Sequence, residues 1–325
     1  MAVYTHLEPM NVTAWLAENY PQLGSLRALH GISQGVENTN YLLELEAGNG
    51  GAQKAILTVF EKRVRPADLP YYLGLMAHLA AKGCAVPEPY LRADGALFGL
   101  LAGKQAVVVR FLDGENMAPA TPSHLEQLGA AMAQMHLAGA DFALNRTNDL
   151  SPFVLAPLLT KCGAGLDGIA PNLLSELMAE LRYLRQEMPK ELPTGQIHAD
   201  LFRDNVFFLG ARYSGLIDFY FACTDSYAYD LAVTAVAWCM DEVSGALDGT
   251  LLEALLRGYG SVRALDAQEK RAIPLLMRGA AVRFLLTRAH DWMYQVPGAL
   301  VVVKDPKEYL AKWRTLLAWD QAAAC

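Results

Sequence analysis

His198-Ala199-Asp200-Leu201-Phe202-Arg203-Asp204-Asn205, followed after an apolar stretch by Gly215-Leu216-Ile217-Asp218-Phe219, is the part of this chain whose reading decides the fold. Two carboxylates, Asp200 and Asp218, and one amide, Asn205, occur here in a fixed order. A carboxylate can orient a hydroxyl and accept its proton, and paired oxygen donors can ligate a hard cation. Asp and Asn are also common turn residues that bond their own backbone, so each alone carries little weight. The context adds to them. Asn205-Val206-Phe207-Phe208-Leu209-Gly210 has strand character, Ala211 to Ser214 can turn the chain, and Ser214 to Ile217 can return as a second strand. Such a hairpin brings Asp218 back beside Asn205, where both can share one cation.

The order matches H-x-D-x-x-x-x-N … D, the pattern of the protein-kinase catalytic loop and its metal-binding Asp. This segment resembles the aminoglycoside phosphotransferase and choline kinase branch of the protein-kinase-like fold. Within that branch the chain resembles the type II homoserine kinases. The pieces that carry the resemblance run from Met1-Ala-Val-Tyr-Thr5 through Gly35 to Tyr41, Phe60 to Val64 and Ala133 to Phe142. They continue through His198 to Phe202, Asp218 to Asp225, Tyr229 to Ala232, Arg283 to Arg288 and Lys304-Asp-Pro306. The resemblance implies an ATP- and Mg2+-dependent kinase phosphorylating the side-chain hydroxyl of L-homoserine to O-phospho-L-homoserine, for threonine synthesis. It implies Asp200 as catalytic base, Asn205 and Asp218 as metal ligands, and His198 and Asp230 as structural support. Ala199 stands where protein kinases carry the arginine that answers a phosphorylated activation loop, which points to a small-molecule kinase without that switch. A kinase for another small alcohol or amine (choline, an aminoglycoside, methylthioribose) and a nucleotide-binding pseudokinase are the alternatives.

The expected fold class is α+β: a small antiparallel-sheet lobe over residues 1–112 and a larger, mainly helical lobe over 113–325. Strands are expected at Ser25–Ile32, Thr39–Glu46 and Lys54–Phe60, with further β segments at Tyr90–Leu101 and Gln105–Leu112. Helices are expected near Thr13–Asn19, Pro66–Ala81, Ser123–Ala138, Pro171–Glu187, Tyr227–Met240, Leu251–Gly258 and Pro274–Tyr294.

On the nucleotide side, Gly35, Val36, Asn38 and Thr39 lie in a turn between strands whose N–H groups can cradle phosphate. Protein kinases place a lysine on the third strand, but here Thr58 occupies that position. Lys62 and Arg63, just beyond the strand, are the substitute cations. Arg110, Phe111 and Leu112 fit the passage whose backbone would bond adenine. For the substrate's ammonium and carboxylate, Asp225 and Arg288 are the candidates. Tyr220, Phe221, Trp238, Trp292 and Tyr294 read as core aromatics at helical spacing rather than a cation cage.

Composition narrows the classes further. A chain of 325 residues, 53% hydrophobic and 19% charged, fits a packed globule rather than a disordered chain. A net charge of −7 supplies no general positive field for nucleic acid. Leu231 to Met240 is apolar but bounded by Asp230 and Asp241, far short of the ~20 residues a membrane span requires. The start has neither a basic flank nor an apolar core, so no signal peptide is expected, and scattered cysteines without a C-x-x-C pair suggest reduced thiols in a cytoplasmic protein. Gly163-Ala-Gly-Leu-Asp-Gly168 matches G-x-G-x-x-G but follows no strand and reads as a flexible loop; no G-x-x-x-x-G-K-[ST] occurs. Oligomeric state leaves no trace in the sequence.

Overall fold

The computed structural model describes residues 5–33, 38–48, 50–61, 64–295 and 304–323. These fall into two compact units, one ending at Asp113 and the other beginning at Gly114.

The first unit is an antiparallel sheet with two helices. Its elements are α1 (Pro9–Asn19), β1 (Ser25–Ile32), β2 (Thr39–Glu46), β3 (Ala52–Val59), α2 (Leu69–Ala81), β4 (Gly99–Leu101) and β5 (Lys104–Arg110), with strand order β1-β2-β3-β5-β4. The period-2 pattern of β2 decides which face is buried. Thr39, Tyr41, Leu43 and Leu45 are buried while Asn40, Leu42, Glu44 and Glu46 are partly exposed. Val12, Trp15 and Leu16 of α1 complete that core with Leu57, Val59 and Val108 of the sheet. Gly24 enters β1 at φ 79°, where a Cβ would sit 2.0 Å from the Glu46 carbonyl oxygen, so only glycine fits. The expected strand at Tyr90–Leu101 is a correction. Only Gly99–Leu101 is a strand, because the Asp94-Gly95 turn and the Arg92 guanidinium, bonded to Asn19 and the Phe98 carbonyl, hold the preceding residues as a loop.

The second unit holds α3 (Pro122–Ala138), α4 (Ala156–Cys162), α5 (Leu173–Glu187), β6 (Thr194–Ile197), β7 (Val206–Leu209), β8 (Arg212–Leu216), β9 (Cys223–Ser226), α6 (Tyr227–Trp238), α7 (Gly249–Gly260), α8 (Ala267–Met293) and α9 (Lys307–Ala323). Helix α6 is buried along its whole length, which explains its unbroken apolar run. Helix α8 packs against α6 and is buried on all sides from Leu276 to Leu286. No helix of the described residues is long and apolar enough to cross a membrane. Helices α3 and α7 approach closely through two glycines: a Cβ on Gly129 would meet the Leu255 carbonyl oxygen at 2.2 Å, and one on Gly258 the Glu126 carbonyl oxygen at 1.9 Å.

Three expectations need correcting in this unit. Helix α8 starts at Ala267, not Pro274, because Asp266 and Glu269 form a reciprocal capping box there and Pro274 is carried inside the helix. The Gly163–Gly168 segment is a 3-10 helix rather than a flexible loop. Trp292 and Tyr294, expected in the core, are exposed at the end of α8, whereas Trp238 is fully buried. Helices α4 and α9 had no counterpart in the sequence reading. Cys84, Cys162, Cys223 and Cys239 are free thiols.

Candidate active site

The loop from His198 to Asn205 leaves β6, which pairs antiparallel with β9. It is held from several sides by buried polar groups. The backbone N–H groups of His198 and Ala199 donate to the two carboxylate oxygens of Asp230, at 3.0 and 2.7 Å. The carbonyl of Ala199 accepts from Arg283 Nη1 at 2.6 Å, and that of Leu201 from Trp238 Nε1 at 2.9 Å. Ala199 is held at φ 62°, a left-handed conformation that costs a non-glycine residue about 1 kcal/mol or more. The strain is stored where the chain must turn to present Asp200. The Asp200 side chain is 16% exposed, with Oδ1 3.7 Å from Arg283 Nη2. Its carbonyl accepts from Asn205 Nδ2 at 2.8 Å, which commits the amide nitrogen and leaves Oδ1 as the atom able to ligate a cation.

The hairpin forms with a tighter turn than expected. Leu209 pairs with Arg212 across Gly210 and Ala211, with Gly210 at φ 57°, and a bulge follows at Phe207/Phe208. Beyond the Val206–Leu216 pair, the Ile217 N–H donates to the Asn205 carbonyl at 3.0 Å, so Asp218 emerges one residue past the position facing Asn205. Asp218 is itself left-handed, at φ 65° and ψ 63°. His198 fixes the strand end from the other side: its Nε2 donates to the Ile217 carbonyl at 2.9 Å, and its ring lies 4.6 Å from that of Phe219. Burial pushes the His198 pKa down, against the opposing pull of Asp230 and the Ile217 carbonyl. The ring is therefore neutral near pH 7, with the proton on Nε2 and a buried Nδ1 that meets no hydrogen-bond partner. Asn205 Oδ1 and the Asp218 carboxylate are hard oxygen donors of the kind magnesium takes.

Asp230 is fully buried, and burial pushes its pKa up. The hydrogen bond and charge of His136, with His198 and the backbone donors, outweigh that and leave it below the usual carboxylate range. A hydrogen-bonded chain backs it. His136 Nε2 lies 3.0 Å from Asp230 Oδ2, His136 Nδ1 lies 2.8 Å from the Tyr259 hydroxyl, and Arg263 Nη1 reaches Tyr259 at 3.3 Å and Glu269 at 2.9 Å.

The two substrate candidates fare differently. Asp225, on β9, accepts from Asn148 Nδ2 and from the Ser226 N–H, both at 2.7 Å; burial raises its pKa more than these bonds lower it. Arg288 of α8 is already paired with Glu308, and its guanidinium lies 4.4 Å from the centre of the Tyr309 ring. Asn148 and His136 escaped the sequence reading. Each is a lone polar residue whose partners are far off in the chain, and only the contact map could reveal them.

In the first unit, Gly35, Val36, Lys62 and Arg63 lie outside the described residues. Asn38 Oδ1 accepts from the Glu61 N–H at 3.2 Å, and the Thr39 hydroxyl donates to Glu61 Oε1 at 2.8 Å. Glu61 is also paired with Lys104. Burial raises the pKa of Glu61, but the Lys104, Thr5 and Thr39 donors outweigh it and lower the net value. Thr58, where the lysine was sought, is buried with its hydroxyl on Asn40 Oδ1 at 2.7 Å. Arg110 ends β5 paired with Glu88 over the Tyr90 ring, and Phe111 and Leu112 follow half-buried.

The Phosphotransferase enzyme family matches residues 28–267, and the chain belongs to that family. Among solved structures, an amicoumacin kinase in complex with AMP-PNP, Ca2+ and Ami superposes with a TM-score of 0.70 at 15% identity, over 97% of this chain and 94% of that one. This likeness gives the fold, which is protein-kinase-like. The homoserine kinase of Brucella anthropi is 48% identical over 97% of this chain and 94% of its own length, and that of Xanthobacter autotrophicus 48% over 99% and 98%. Within the wider family, the chain therefore belongs with the homoserine kinases.

Proposed function

We propose that this protein transfers the γ-phosphoryl group of ATP to the side-chain hydroxyl of L-homoserine, giving ADP and O-phospho-L-homoserine, the ester consumed in threonine synthesis. The observation that carries this reading is the near full-length identity with homoserine kinases in a chain whose Asp200, Asn205 and Asp218 share one braced loop and hairpin.

In this reading Asp200 accepts a hydrogen bond from the attacking hydroxyl and takes its proton as the oxygen–phosphorus bond forms and the bond to ADP breaks. Asn205 Oδ1 and the Asp218 carboxylate would hold magnesium, which would supply positive charge against the phosphates when bound. His198 and Asp230 keep the loop in register. Backbone N–H groups of Gly35, Val36, Asn38 and Thr39 are proposed for the nucleotide phosphates, with Lys62 and Arg63 as the substitute cations. The Arg110–Leu112 backbone would bond adenine. Asp225 is the carboxylate proposed for the substrate ammonium. Arg288 would have to exchange Glu308 for the substrate carboxylate in order to bind it. The work fits a cytoplasmic, small-molecule enzyme.

The test is ADP release with ATP and Mg2+ across L-homoserine, D-homoserine, L-serine, choline and an aminoglycoside. Turnover selective for L-homoserine is expected. Faster turnover on any other alcohol would keep the fold and discard the substrate.

A further inference from the structure

Arg283 sits in the most apolar part of α8, among Val282, Phe284, Leu285 and Leu286, and its side chain is 2% exposed. A buried guanidinium is costly, and a whole buried ion pair replaced by apolar residues of similar volume is often neutral or stabilising for a fold. Fold stability alone is thus a poor reason for an arginine here. Its contacts point elsewhere. Nη1 donates to the Ala199 carbonyl at 2.6 Å, and Nη2 lies 3.7 Å from Asp200 Oδ1. The guanidinium lies 4.5 Å from the centre of the Phe284 ring and 5.8 Å from that of Phe221, which restricts its rotation.

Ala199 is therefore gripped on both sides. Its N–H goes to Asp230 of α6 and its C=O to Arg283 of α8, and its left-handed φ of 62° is held between two buried charges of opposite sign. The same guanidinium that fixes the peptide preceding Asp200 also faces the Asp200 carboxylate. We propose that Arg283 is a positioning residue for phosphoryl transfer, fixing the direction of the Asp200 carboxylate through one guanidinium shared between the Ala199 carbonyl and Asp200. The proposal rests on the reading of Asp200 as the base. It assigns Arg283 no contact with substrate. Other groups in electrostatic range of the pair are Cys223 and Asp225 on β9, Tyr229 on α6 and Tyr309 on α9. Among these and Asp200, Arg283 supplies the cation.

The experiment compares Arg283→Met and Arg283→Lys, each alone and combined with Asp200→Ala, by kcat, KM for ATP and L-homoserine, and thermal midpoint. Arg283→Met removes the donor to the Ala199 carbonyl and the cation facing Asp200, so it is expected to fold with a lowered midpoint and to lose about 10²-fold in kcat, the scale of a misplaced catalytic group, with both KM values within about threefold. Arg283→Lys keeps the charge but not the fork, and is expected to recover part of that loss. In the Asp200→Ala background, Arg283→Met should cost nothing further. Wild-type kcat in Arg283→Met, or an equal loss with and without Asp200, would overturn the proposal. If Arg283→Met does not fold, Arg283→Lys decides: about tenfold lower kcat at unchanged KM supports the shared guanidinium, and unchanged kcat overturns it. Full activity in Asp200→Ala would instead remove the base reading itself, a separately readable result.

Discussion

The backbone N–H of Ala199 donates to Asp230 Oδ1 at 2.7 Å across 31 residues of sequence, and this bond holds the peptide before Asp200 in a left-handed turn. The Asp230 carboxylate also accepts from the His198 N–H and from His136. One buried carboxylate thus joins the loop, α6 and α3.

Asp230→Ala leaves those donors buried without an acceptor. It should cost about 3–5 kcal/mol in urea unfolding, the scale for breaking a buried charged pair. The pH dependence has a definite sign. The folded pKa of Asp230 is lowered, so its contribution is fully present above the unfolded carboxylate value of about 3.9 and disappears as pH falls through the lower folded value. The stability gap between wild type and Asp230→Ala should therefore be constant near pH 7 and narrow below about pH 4. A gap that widens on acidification would contradict the assignment.

His198 acts in a different window. Burial lowers its folded pKa, so the fold favours the neutral ring and loses stability as pH falls below the unfolded value of about 6.5. His198→Gln removes that titration, and its unfolding midpoint should vary less than the wild type between pH 7 and 5. The same variant loosens the bond to Ile217 beside Asp218, so the Mg2+ concentration giving half-maximal activity should rise.

Asp218→Ala should raise that Mg2+ requirement by at least about tenfold, as loss of a ligand does, while Asn205→Ala should do so less strongly because a neutral amide binds the cation more weakly. Titrating activity against Mg2+ at fixed ATP reads both. An unchanged Mg2+ profile in Asp218→Ala would remove it as a ligand.

Gly129→Ala offers a packing test of the chain behind Asp230. Alanine normally stabilises a helix by about 0.5–1 kcal/mol over glycine. Here the new Cβ would lie 2.2 Å from the Leu255 carbonyl oxygen and 2.7 Å from the Tyr259 nitrogen. The expected result is the opposite sign, a loss of about 1–3 kcal/mol from overpacking. Because Tyr259 carries the hydroxyl that meets His136, a fall in kcat should accompany it.

Elements with a clean period were readable from the chain. β1 and β2 occupy the expected residues because alternation and flanking turn residues agree. The expected start of α8 at Pro274 is late because proline commonly opens a helix, whereas the Asp266–Glu269 capping box starts this one at Ala267. Tyr90 to Phe98 has strand composition, yet arginine bonds and a turn keep it out of the sheet. At the site, the loop and hairpin residues could be read because their chemistry is local. The partner of Arg283 could not: it lies on the loop 84 residues away, and an arginine in an apolar helix looks the same in sequence whether it snorkels or clamps. His136 was hidden for the same reason, 94 residues from Asp230.

The most direct test of the account is single-turnover transfer from γ-labelled ATP to L-homoserine in Mg2+, with wild type and Asp200→Ala compared at equal ATP occupancy. The account expects label in O-phospho-L-homoserine with the wild type, and a rate lower by about 10²–10⁴-fold in the variant with ATP affinity little changed. Label transferred by Asp200→Ala at nearly the wild-type rate, or label found only in inorganic phosphate with the wild type, would contradict it.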